Sequence, residues 1–136
     1  MKGKRYFLLS FAFLMSSFIT AAPSAPTMKN GVRPIIERCK YVAIGQQAQT
    51  EQQIYDEGLC HGFLSGGVSA YFAENKCFYD GFNFETAARA LAFAYTSFIR
   101  KHGFEPPTDA YEFLKDVIEK DLPKNQKGCP VSTAWK

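Results

Sequence analysis

Four cysteines, Cys39, Cys60, Cys77 and Cys129, and two histidines, His61 and His102, are the residues of this chain whose types could carry chemistry. Four thiolates can close a zinc site, and a thiol beside an imidazole can make a nucleophile. Spacings of 21, 17 and 52 between successive cysteines leave no close C-x-x-C pair, which favours two disulfides over zinc. Cys60 and His61 are adjacent, and neighbours on a helix point about 100° apart, so the imidazole is badly placed to take the thiol proton. A disulfide at Cys60 would remove the nucleophile outright. His61 and His102 are therefore read as structural or surface residues, and the chain as not an enzyme.

Other chemistries fare no better. Secreted phospholipases also place a histidine beside a cysteine on a helix, but they need a glycine-rich calcium loop and an aspartate directly after the histidine. Here Gly62 follows. Asp109, Glu112, Asp116 and Glu119 read as a solvated helix face, not as the opposed carboxylates of glycoside hydrolysis. No cofactor and no metal is expected. The chain does carry 21 aromatic residues, and Phe78, Tyr79, Phe82 and Phe104 fall between the predicted helices. Either they fold back as lids on the core, or they stay exposed beside Asp80 or Glu105 and anchor a protein partner. The loop holding Phe78, Tyr79, Asp80 and Phe82 is the first candidate surface and the break at 104–107, with Phe104, the second. Both join aromatic and acidic side chains to a backbone stiffened by a cysteine or by prolines, which lowers the ordering cost of binding.

The elements that must position these residues are helical. Ile35, Ile36, Cys39, Val42 and Ala43 recur at three- and four-residue steps and predict a first helix over 34–44, with Pro34 in its first turn and Gly45 as its stop. Thr50 and Gln53 have capping-box spacing and open a second helix running to about 73. Its apolar arc comprises Ile54, Leu59, Phe63, Leu64, Val68, Ala70 and Tyr71. Gly58, Gly62, Gly66 and Gly67 lie inside it, each costing about 1 kcal/mol against alanine. They imply either close approach of another backbone or a break at Gly66-Gly67. Asn83 caps a third helix over 84–102, whose Phe84, Ala87, Ala88, Leu91, Tyr95, Phe98 and Ile99 form one face, widened by Phe93 and Ala94. Thr108 caps a fourth ending at 122, with Ala110, Phe113, Leu114, Val117, Ile118 and Leu122 inside and the pairs Lys115–Glu119 and Asp116–Lys120 outside. The fold class is all-α, a small four-helix domain stapled by two disulfides.

The N-terminus reads as an export signal, residues 1–21. Lys2, Lys4 and Arg5 precede an uncharged run from Tyr6 to Ile19, and Ala21 and Ala22 supply the small residues of a cleavage site. That run is shorter than the ~20 residues that cross a bilayer. Residues 22–32 form a disordered lead-in, 33–130 the helical domain, and 131–136 a tail with only Cys129 beside it to order it. Without the signal the chain keeps thirteen of its 16 Lys and Arg residues against 13 Asp and Glu. A mature chain with no net charge and no basic patch excludes nucleic acid as a partner, and no membrane association is expected after cleavage. The compartment is periplasmic.

Cys39, the run Cys60-His61-Gly62-Phe63-Leu64-Ser65-Gly66, Cys77 in a loop, an alanine- and aromatic-rich helix, a proline-containing break, an amphipathic helix and Cys129 together resemble the Rap/Tai immunity proteins of type VI secretion. Their second cysteine lies in a C-x-G-[YF]-[IL]-x-G motif, and the match spans 33–130. Phe78-Tyr79 stands where that family often has a proline, and Gly128 rather than proline precedes Cys129. The resemblance implies a periplasmic protein that binds and blocks a cell-wall amidase effector, often as a homodimer. A periplasmic helical chaperone or structural protein of the small acid-stress type is the alternative. Of the three pairings four cysteines allow, Cys39–Cys60 and Cys77–Cys129 are preferred: one staples the first two helices, the other pins the central loop to the tail.

Overall fold

The computed structural model describes residues 31–136. The predicted signal at 1–21 and the lead-in through residue 30 lie outside the described residues. Val32, assigned to that lead-in, is buried, and its carbonyl accepts from the Ile35 and Ile36 N–H groups at the start of the first helix.

Four α-helices follow in order: α1 Arg33–Ala43, α2 Glu51–Glu74, α3 Phe84–His102 and α4 Ala110–Asp121. A 3-10 turn, Ser132–Trp135, ends the chain. No strand occurs among the described residues; an isolated antiparallel bridge joins Lys124 and Pro130. The class is all-α, as the periodicity indicates.

Capping sets the boundaries. Thr50 Oγ1 accepts from Gln53 N at 3.2 Å while the Gln53 side chain accepts from Thr50 N, closing the capping box. Asn83 Oδ1 accepts from Thr86 N at 3.1 Å, and α3 stops at Gly103, whose φ of +77° is open to glycine without strain. The α4 cap is a correction: Asp109, not Thr108, accepts from Glu112 N at 2.9 Å. Both residues cap well by type, but the turn after Pro106-Pro107 starts the helix one residue later, and Asp109 also places its negative charge at the positive end of the helix dipole.

α1 lies along α3 and α2, and α4 packs on α2 and α3. Ile35, Leu64, Val68, Phe72, Leu91, Leu114 and Ile118 form the fully enclosed centre. Each large aliphatic chain there contributes about 1.5–3 kcal/mol by leaving water. Two expected core residues lie outside it. Ile54, in the first turn of α2, is 60% exposed, and Phe93 is 73% exposed because it shares the outward stripe of α3 with Arg89, Thr96 and Arg100.

α2 runs unbroken through Gly66-Gly67. At Gly67 a Cβ would lie 2.5 Å from Leu114 Cδ2, so this glycine lets α4 approach α2. Gly58, Gly62 and Gly66 face open space instead, so close approach explains one of the four glycines. Near this contact the Tyr71 hydroxyl donates to Glu119, which also accepts from Lys124 Nζ at 2.5 Å. Lys124 and the Tyr71 hydrogen bond hold the Glu119 carboxyl below the usual carboxylate range, and burial followed by that bond raises the Tyr71 phenol. Glu119 therefore does not pair with Lys115 as the spacing suggests. Lys115 turns to Glu112 at 2.6 Å, while Asp116–Lys120 forms as expected at 2.5 Å.

Candidate functional site

Both preferred disulfides are formed, Cys39–Cys60 between α1 and α2 and Cys77–Cys129 between loop and tail. All four thiolates that zinc would require are thus engaged. Cys60 has no free thiol for His61, whose ring stacks on Phe84 with centroids 4.3 Å apart and whose Nε2 lies 3.9 Å from Glu57. His102 lies at the far end of α3 in a cluster with Phe98 and Phe104, at 4.3 and 5.8 Å. Among the described residues no group of three or more His, Cys, Asp or Glu side chains is arranged to hold a metal. An open groove between α1 and α2, lined by Glu37, Arg38, Lys40, Gln52 and Asp56, offers neutralised charge, with Arg38 and Asp56 paired at 3.0 Å.

The loop 75–83 and the tail build the more distinctive surface. At the end of α2, Lys76 N donates to Ala73 O and Cys77 N to Phe72 O, the paired bonds of a Schellman reversal. Lys76 occupies the left-handed position usually given to glycine, with φ +53°. The reversal delivers Cys77 to its bridge. Across from it, Asn125 Oδ1 accepts from Lys127 N at 2.9 Å and Cys129 N at 3.1 Å, and Gly128 at φ +78° completes a tight turn.

This frame sorts the predicted aromatics. Phe78 is 84% exposed, next to the bridge. Tyr79 is 37% exposed, with its ring against Phe72 at 5.7 Å. Phe82 is partly buried at the core margin, packed on Phe84 at 5.0 Å and Trp135 at 6.4 Å, and offers less of its ring to the candidate surface than Phe78 does. Asp80 is exposed and pairs with Lys136 at 3.4 Å. Phe104 is 56% exposed but leans on Phe98 at the opposite end of α3 from the loop, so the two candidate surfaces are not brought together.

No protein-family model, no curated protein and no solved structure matches this chain.

The tail is tied down by more than Cys129. Trp135 is 2% exposed, its indole N–H donates to Asp121 at 2.5 Å, and its carbonyl accepts from Asn83 N at 2.8 Å. Ser132 Oγ accepts from Asp80 N at 3.3 Å. Ser132 and Trp135 are therefore buried anchors of the tail behind the loop, and the signal for them was the one tryptophan of the chain, a residue rarely left in water. The resulting surface presents Phe78 beside the disulfide, with the Asp80 and Asn83 N–H groups satisfied by the tail behind it. Closed disulfides suit an oxidising compartment, and no described helix is long and apolar enough to cross a membrane.

Proposed function

We propose that this chain is an exported, periplasmic immunity or inhibitor protein that binds a cell-wall amidase effector through the loop carrying Phe78. The observation that supports this reading is Phe78 itself, 84% exposed on a loop held by a helix reversal, a disulfide and the buried anchors of the tail. A large apolar side chain kept in water by a rigid frame contributes nothing to the fold, whereas seated in a partner's cleft it acts as an anchor with little ordering cost. Tyr79 and the Asp80–Lys136 pair form its rim. The cysteine framework and the Cys60-His61-Gly62-Phe63-Leu64-Ser65-Gly66 run supply the resemblance to Rap/Tai immunity proteins, and the pattern of residues 1–21 supplies the export route.

The test uses purified exported peptidoglycan amidases of the class that type VI systems deliver. The oxidised protein should block turnover of peptidoglycan by one of them at equimolar ratio, and Phe78→Ser should weaken binding at least tenfold, about 1.4 kcal/mol, with an unchanged thermal midpoint. Amidases that all stay active in excess of the protein sink the reading. Promiscuous capture of unfolded clients at low pH, without amidase inhibition, would instead establish the chaperone alternative.

A further inference from the structure

The two disulfides differ in the property that governs thiol–disulfide exchange, access to sulfur. Cys39 and Cys60 are 1% and 0% exposed between α1 and α2, so an attacking thiolate reaches them only if the helices part. Cys77 and Cys129 are partly exposed, where the reversal after α2 meets the turn at 125–128. Lys76 adjoins Cys77 and Lys127 precedes Cys129 by two residues. Both lysines are exposed, and among the described residues neither pairs with a carboxylate. No Asp or Glu lies within two residues of either cysteine, so the nearest charges along the chain are positive, the sign that favours a thiolate and a good leaving sulfur.

We propose that Cys77–Cys129 is a thiol–disulfide exchange site for a dithiol reductant of the oxidoreductase class, and that opening it loosens the contact between the tail and the Phe78 loop. In the first step one thiolate of the reductant attacks a sulfur of the bridge, forming a mixed disulfide and expelling the other sulfur as a thiolate, which takes up a proton. In the second step the reductant's other thiol, as its thiolate, attacks the mixed disulfide, leaving Cys77 and Cys129 as thiols and the reductant as its own disulfide. Two electrons pass from the dithiol to the bridge. The reverse reaction, with an oxidised dithiol, closes it.

The bridge can act as a switch because of what it spans. The Asn83–Trp135 and Asp80–Ser132 hydrogen bonds and the Phe82–Trp135 ring contact all join the two segments that the bridge joins. Once it opens, those contacts must close a span of 52 residues without a covalent tie. Cys39–Cys60 stays shut inside the bundle and keeps α1 on α2. Reduction therefore loosens the loop and tail and spares the helices. The effect on binding rests on the proposed function of the Phe78 loop; the exchange reaction does not.

The experiment treats the oxidised full chain with limiting dithiothreitol and maps the freed thiols by alkylation and mass spectrometry. Cys77 and Cys129 should label at least about tenfold faster than Cys39 and Cys60. Trp135, the one tryptophan, should shift its emission to the red in step with that labelling, while the far-UV helical signal holds. Equal labelling rates, or an unchanged Trp135 spectrum after complete reduction of Cys77–Cys129, overturns the proposal. The double substitution Cys77→Ser, Cys129→Ser should reproduce the reduced spectrum, and the kinetic measurement on the native chain decides the matter even if that variant does not fold. Selective reduction should also weaken amidase binding about tenfold. Loss of this binding arm alone, with exchange intact and the oxidised protein failing to bind amidase, defeats the proposed function; slow or unselective exchange with amidase binding intact defeats only the exchange site.

Discussion

Adjacent glycines in one helix give a sharp test of how α2 and α4 are held together. Gly66 faces open space, whereas a Cβ on Gly67 would meet Leu114 Cδ2 at 2.5 Å, inside the 3.4 Å at which ordinary contact begins. Alanine at either position gains about 1 kcal/mol of helix propensity. At Gly67 that gain is opposed by a displacement of about 1 Å of a fully buried leucine in a close-packed interior, an overpacking cost of about 1–3 kcal/mol. Because the propensity gain is common to both, the difference between Gly66→Ala and Gly67→Ala isolates the packing cost. Urea unfolding followed by far-UV circular dichroism should place Gly66→Ala above the parent and Gly67→Ala about 1–3 kcal/mol below Gly66→Ala, with equal m-values. For a domain of this size the gap amounts to about 4–12 °C in thermal midpoint. If both substitutions stabilise equally, the approach of α4 to α2 is not what keeps glycine at position 67.

Three further outcomes are expected. Tyr71→Phe removes one of the two groups that depress the Glu119 pKa, and it should cost about 0.5–1.5 kcal/mol at neutral pH, the lower part of the range reflecting the solvent exposure of Glu119. Since the folded pKa lies below the unfolded one, the stabilisation is full above the ordinary value of 4.5 and disappears as pH falls through the lowered folded value, so parent and variant should converge in an acid titration of stability. Asp109→Ala should lower stability by about 1 kcal/mol and Thr108→Ala by under about 0.5, measured in the same denaturant series, because only Asp109 caps α4. Lys76→Gly should raise the thermal midpoint, with a gain of about 1 kcal/mol from relieving a non-glycine residue at φ +53°; a loss of stability would show that the Lys76 side chain supports the reversal.

Local chemistry determined most of the secondary structure without reference to the rest of the molecule. Three-and-four spacing of apolar residues, Pro34, Gly45, the Thr50–Gln53 box and Asn83 act over a single turn of chain, and α1, α2 and α3 begin and end within a residue or two of where those signals place them. The disulfide pairing was one of three allowed choices, and preference became fact only where α1 met α2 and the tail met the loop. What tertiary structure alone decided was which side chains face one another across long separations. Glu119 could pair equally well with Lys115 by sequence, but Tyr71 and Lys124 reach it from elsewhere in the fold. Phe78 and Phe82 are the same residue type four positions apart in one loop, yet Phe82 turns inward because Trp135, 53 residues downstream, supplies a surface to cover it, and Phe78 has no such surface. Burial depends on the shape that all the elements enclose together, and no short window of the chain contains that shape.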